Sequence, residues 1–234
     1  MTKEEHRLIG KRLELLKGRI QEMGIEVQHA VSRAIAALVE RDSNIAAEVL
    51  TNDDVIDRME LDIDRDVIEI FALLQPAARD LRFVIAVAKI TPVLERIADH
   101  AGNIADAAME LNSEPQLSEY VDLPRMADKA MHMLEQAIEA FTCEDSALAR
   151  HIIPLDKEID GIYRKVVREL MDSIRTEPTY SRRVLQLLFV AKHIERIGDY
   201  VKDICELTVY MIEAEFIRHS FEKSSSIKET ETSA

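Results

Sequence analysis

Tryptophan is missing from this chain, and glycine and proline occur only six times each in 234 residues. So few chain breakers, beside abundant Ala, Leu, Ile, Glu and Arg, argue against sheets and turns and for long helices. Only two cysteines occur, Cys143 and Cys205. They give neither a metal-ligand spacing nor a disulfide framework, and both are expected to be small core residues of a reduced, cytosolic protein. Basic residues are outnumbered, 30 Lys and Arg against 44 Asp and Glu, so the formal net charge is −14. That argues against non-specific nucleic-acid binding, which needs a basic surface to displace counterions. It suits cations or a basic partner. The N-terminal run Met1-Thr2-Lys3-Glu4-Glu5-His6-Arg7 has no apolar core, so no secretory signal is expected. The longest apolar stretch, near Val184 to Ala191, is interrupted by Gln186 and is far short of a membrane span.

What the chain does have is an internal repeat. A shift of 103 residues lays Ala34, Ile35 and Ala37 on Ala137, Ile138 and Ala140, Asp42-Ser43 on Asp145-Ser146, and Ile56-Asp57 on Ile159-Asp160. A shift of 100 lays Glu95-Arg96-Ile97 on Glu195-Arg196-Ile197 and Asp99 on Asp199. The change of offset falls where a turn belongs. Each copy reads as three helices, because apolar residues recur at alternating spacings of three and four. Ile20, Met23, Val27, Val31, Ala34 and Leu38 form one such stripe, and Val49, Ile56, Ile63, Val67, Ile70 and Leu74 another.

The expected helices run over 4–40, 43–74, 76–111, 119–142, 145–175 and 178–218. Asp42 caps the second, and Pro76 is expected in the first turn of the third. The expected fold class is therefore all-α: two tandem three-helix bundles, one over 1–112 and one over 119–218. A linker is expected at 113–118, and a polar, disordered tail at 219–234.

Four acidic i,i+4 pairs sit at equivalent places: Asp53/Asp57 and Glu95/Asp99, then Asp156/Asp160 and Glu195/Asp199. Residues four apart share a helix face. Counting outward from residue 76, Asp57 is level with Glu95, and Asp53 with Asp99. In an antiparallel hairpin the pairs meet roughly 28–35 Å from the bend. Clustered like charges repel unless something neutralises them. An oxygen-rich, thiolate-free set suits magnesium, manganese, calcium, iron or zinc. Asn103 and Asp203, one turn beyond Asp99 and Asp199, are candidates to extend each site. Single acidic pairs are commonplace on solvated helix faces. The level meeting of two pairs, repeated across the duplication, favours metal.

Two rivals stay open. A ferritin-like di-iron bundle needs Glu-x-x-His on two helices, but Glu26 to His29 is matched in the second copy only by Lys129 to His132. A metal-free helical scaffold is the other. His100 is replaced by Tyr200 in the second copy, and there is no phosphate loop or nucleophile elbow, so no enzyme activity is expected.

The segment Leu94-Glu95-Arg96-Ile97-Ala98-Asp99-His100-Ala101-Gly102-Asn103-Ile104 resembles the signature of the PhoU family, and Ile194-Glu195-Arg196-Ile197-Gly198-Asp199-Tyr200 repeats it. Gln75-Pro76-Ala77-Ala78-Arg79-Asp80-Leu81-Arg82 is similar to the start of the family's third helix, and Asn52-Asp53-Asp54-Val55-Ile56-Asp57 to its second-helix motif. The resemblance covers roughly 5–217. Ala98 stands where Gly is usual and Tyr200 where His is usual. Pro154, just before Asp156, is expected to kink or restart the fifth helix.

The resemblance implies a cytoplasmic negative regulator of phosphate uptake and phosphate-starvation signalling. It would work with the ATPase subunit of the phosphate ABC transporter and a sensor histidine kinase, meeting the membrane only through them. It also implies metal clusters at Asp53, Asp57, Glu95, Asp99, Asp156, Asp160, Glu195 and Asp199. A homodimer is expected, and direct sensing of metal-held phosphate is a further possibility.

Overall fold

The computed structural model describes residues 3–117 and 122–217. The expected tail at 219–234, and the first residues of the expected fourth helix, lie outside them. Every regular element among the described residues is helical: α1 (Lys3–Val39), α2 (Ser43–Leu74), α3 (Ala78–Asn112), α4 (Asp122–Thr142), α5 (Ser146–Ile152), α6 (Asp156–Thr176) and α7 (Ser181–Glu213). Short 3₁₀ turns, Ile153–Leu155 and Pro178–Tyr180, precede α6 and α7.

The corner between the first two helices is built the same way in both repeats. Arg41 and Glu144 take the left-handed conformation, with φ of 58° and 55°. The next residue's N–H then reaches back to the helix it has just left, Asp42 to the Ala37 carbonyl and Asp145 to the Ala140 carbonyl. This closure satisfies carbonyls left over at a helix C-terminus. The same aspartates cap the following helix: Asp42 accepts from the Asn44 N–H at 2.8 Å, and Asp145 from the Leu148 N–H at 2.9 Å. A left-handed conformation costs a non-glycine residue roughly 1 kcal/mol. Arg41 offsets it by donating to the carbonyls of Leu111, Asn112 and Glu114, latching the end of α3. Glu144 pairs with Lys17 and Arg79.

Two boundaries depart from expectation, and one helix restarts where its proline suggested. Pro76 lies in the α2–α3 connection, not in a helical turn, because Gln75 ends α2 left-handed and Ala77 is extended as N-cap of α3. The fifth helix restarts at Pro154 as expected, and so divides into α5 and α6, because the proline ring removes a backbone donor. The last helix stops at Glu213, short of 218. Ala214 turns left-handed, Phe216 folds back to stack on Tyr210 at 4.1 Å between ring centroids, and Ile217 is buried. Cys205 is a core residue as expected, but Cys143 is exposed, because it falls past the end of α4 in the corner.

α1–α3 form one bundle and α4–α7 the other, and the two share a continuous core. α3 packs on α7 and α1 on α4, so the middle helices are apolar on more than one side. Gly24 marks the close approach of α1 to α4: a Cβ there would meet Ile138 at 3.0 Å. No helix among the described residues is long and apolar enough to cross a membrane.

Leu94, wholly buried on α3, sets the scale of this core. Leu94→Ala is expected to cost about 2–5 kcal/mol, lowering the thermal midpoint by about 5–15 °C in a chain of this size. A melt followed by far-UV circular dichroism measures it.

Candidate metal centre

The hairpin register brings the acidic pairs of each repeat together. In the first repeat the charge of Asp53 is opposed by Asp57 on its own helix and by Asp99 across the hairpin. Glu95 is opposed by Asp99, Glu60 and Asp57. In the second, Asp156 faces Asp160, Asp199 and Glu195, and Asp199 faces Glu195 and Asp160. All eight carboxylates therefore belong to two acidic patches, one on α2/α3 and one on α6/α7.

Loss of hydration is the main cause of the proton affinities here, with repulsion second. Glu95 is pushed up to about 7 by burial, then by Asp99, Glu60 and Asp57. Asp156 is pushed up to about 6 by burial, then by Asp160 and Asp199. Asp53 and Asp199 are raised as well, burial again leading. A carboxylate held in this way binds a proton more readily than one in water, and protonation relieves the repulsion.

Asp156 carries the sharpest demand. It is 7% exposed, at the start of α6, and its buried Oδ1 has no hydrogen-bond partner. Gly198 on α7 makes room for it, since a Cβ there would lie 3.1 Å from that oxygen. The break at Pro154 places Asp156 at the head of its own helix. A buried, unsatisfied carboxylate oxygen amid three further carboxylates fits a hard cation in donor type and in charge. As the side chains stand, no three His, Cys, Asp or Glu among the described residues converge into a complete ligand set.

The remaining candidates lie further out. Asn103 spends its side-chain amide on the Asp99 carbonyl at 2.8 Å. Asp203 lines a cleft of about 330 Å³ between α3 and α7, together with Arg96, Pro92 and Tyr210. His29 lines a shallow cavity of about 190 Å³ with Glu26, Asn52 and Asp53, between α1 and α2. His132 is exposed beside Glu135 at 3.7 Å.

Sequence spacing missed two features. Glu60 joins the first patch from one turn beyond Asp57, a place where its second-copy equivalent is Tyr163. His100 and His193 meet across the repeat boundary, with their Nδ1 atoms 2.9 Å apart and His100 stacked on Tyr200. His193 has Val93 as its first-copy equivalent, so a search for repeated motifs passes over it.

Comparison with known proteins follows the same duplication. The family model described as PhoU domain matches twice, at residues 20–108 and 123–208. The chain is 37% identical to the phosphate-specific transport system accessory protein PhoU homolog of Aquifex aeolicus, over 89% of this chain and 95% of that one. It is 35% identical to the phosphate-specific transport system accessory protein PhoU of Escherichia coli K12, covering 88% and 86%. The crystal structure of PhoU from Pseudomonas aeruginosa superposes with a TM-score of 0.84 at 34% identity, over 88% of this chain and 99% of that one. The phosphate transport system regulatory protein PhoU from Streptococcus pneumoniae gives 0.83 at 29%, over 89% and 98%. With both repeats matched, and with the fold shared over 88–89% of its length, the chain belongs to the PhoU family.

Proposed function

We propose that this chain is a cytoplasmic negative regulator of phosphate uptake and of phosphate-starvation signalling. In this reading it is a metal-bound, homodimeric adaptor between the ATPase subunit of a phosphate ABC transporter and a sensor histidine kinase. The observation that carries the reading is similarity along nearly the whole chain to proteins named as accessory to the phosphate-specific transport system. The architecture suits an adaptor. Its middle helices are buried in a shared core, while α2 leaves Leu61, Ile68 and Leu73 exposed for a partner or a second copy.

The acidic patches supply the metal half of the reading. Asp53, Asp57, Glu95 and Asp99 would hold iron, manganese, zinc or magnesium in the first repeat, and Asp156, Asp160, Glu195 and Asp199 in the second. A bound cation supplies positive charge that ties the two helices of a hairpin together. The protein's own part is to fix the register that brings the carboxylates level, and to keep Asp156 dry.

Removing the gene from its host is expected to raise phosphate uptake and starvation-gene expression in phosphate-rich medium. Unchanged repression would remove the regulatory reading. Elemental analysis of purified protein, loaded with iron, manganese, zinc or magnesium and dialysed without chelator, is expected to find metal that an Asp99→Ala/Asp199→Ala variant has lost. Metal in neither protein leaves a metal-free adaptor.

The acidic patches also set a pH dependence. Glu95 and Asp156 bind protons more tightly in the folded chain than in the unfolded one, so their contribution is fully present below about pH 4. It is lost as pH rises through about 6 to 7. The thermal midpoint of metal-free protein is therefore expected to fall between pH 5 and 8 by their action. Saturating Mn²⁺ should suppress that fall and release protons at pH 7. Parallel melts with and without Mn²⁺ check both signs.

A further inference from the structure

α2 carries nine acidic residues against two arginines, Arg58 and Arg65. Its net charge of −7 is half of the chain's −14. Yet the same helix exposes Val55, Leu61, Ile68, Phe71 and Leu73. Their placing is regular. Asp54, Arg58, Leu61, Arg65, Ile68 and Ala72 follow one another at spacings of four and three, the a/d seam of a heptad. All six are exposed, so the seam points away from the buried stripe of Ile56, Ile63, Val67 and Ile70. Asp64 and Phe71 flank it on one side, Asp62 and Glu69 on the other. The duplication shows that the scaffold does not require this face. A shift of 103 puts Arg164 in place of Leu61, Thr176 in place of Leu73 and Glu158 in place of Val55. The same unit folds with polar residues there, so packing within the bundle does not account for the apolar ones.

We propose that the outer face of α2 docks a basic amphipathic helix of a partner protein, with apolar residues along its own seam and Lys or Arg beside it. This rests on the adaptor reading above and names the chemistry of the partner. Leu61 and Ile68 are the knobs that such a helix receives, and the alkyl stems of Arg58 and Arg65 fill the seam around them. Asp64 on one flank, and Asp62 and Glu69 on the other, meet the partner's cations, so charge selects the partner. Arg65 pairs with Asp62 at 3.1 Å and Arg12 with Glu69 at 3.8 Å, but all four side chains are exposed. Exposed pairs of this kind give way readily to a competing cation. A second copy of this chain fits the face poorly. α2 against α2 sets acidic flank against acidic flank in either orientation. α6 of a second copy brings Lys157, Arg164 and Arg168 to its seam, with Met171 as its single large apolar residue, so it offers charge with little to pack.

The probe is a labelled synthetic helix of three heptads, with Leu at a and d and Lys at e and g, titrated with full-length protein and followed by fluorescence anisotropy. Its twin carries Glu at e and g. The Lys peptide is expected to bind and the Glu peptide not to. Leu61→Ser/Ile68→Ser leaves the charge unchanged and is expected to weaken the Lys peptide by at least about tenfold. Asp62→Asn/Asp64→Asn should weaken it and flatten its salt dependence. Met171→Ser, at the place on α6 equivalent to Ile68, should leave it unaltered. These positions are at the surface, so each variant is expected to keep the wild-type helical signal. In the host, Leu61→Ser/Ile68→Ser is expected to derepress phosphate-starvation genes as removal of the gene does. No binding of the Lys peptide, equal binding of both peptides, or undiminished binding to Leu61→Ser/Ile68→Ser overturns the docking face. So does sedimentation in which the wild type self-associates and that variant does not, which assigns the face to a second copy. Derepression by gene removal but not by the variant also overturns it and leaves regulation standing. Unchanged repression in both overturns the regulatory reading itself.

Discussion

The packing of α3 against α7 is the contact from which the rest of the molecule is organised. Each of these helices must satisfy partners within its own bundle and a partner in the other, and Ile97 and Ala101 on α3, with Ile197 and Val201 on α7, are buried accordingly. So much apolar surface leaves little freedom for rotation about the helix axis. The acidic i,i+4 pairs are consequently fixed in azimuth as well as in height, and α2 and α6 bring their own pairs to meet them. Carboxylates that would splay apart on an isolated hairpin are kept within one another's fields by burial elsewhere.

Much of this was open to reading in the residues alone, because the duplication supplies two samples of every important position. Helix identity, the Asp42 cap and the level meeting of the pairs follow from periodicity, cap chemistry and counting. What escaped has physical reasons. The start of α3 and the end of α7 depend on the left-handed backbone at Gln75 and Ala214, which no residue type there announces. Cys143 reads as a small apolar residue, yet its place in a corner exposes it. Glu60, Lys192 and His193 are each present in one copy and not the other. They become visible only when helices that are distant in sequence lie side by side.

That asymmetry matters for how the duplication should be understood. The scaffold has stayed symmetric in its Asp42 and Asp145 caps and its corner closures, although α2 is continuous and its counterpart is broken at Pro154. It has diverged in the side chains that face the carboxylates. Pro92 and Lys192 show both halves of this. The proline sits inside α3 and leaves one helical hydrogen bond unmade, while the lysine at the equivalent place brings a charge to the neighbouring patch.

The shared core also has a consequence for biosynthesis. Because α1 rests on α4 and α3 on α7, the first bundle emerges from the ribosome with two apolar faces uncovered, and the second of them waits for the last helix of the fold. Chain elongation at roughly 5–20 residues per second leaves that face open for several seconds at least. The nascent chain is then most vulnerable to association with other chains, and a co-translational chaperone has the most to offer while α7 is still being made.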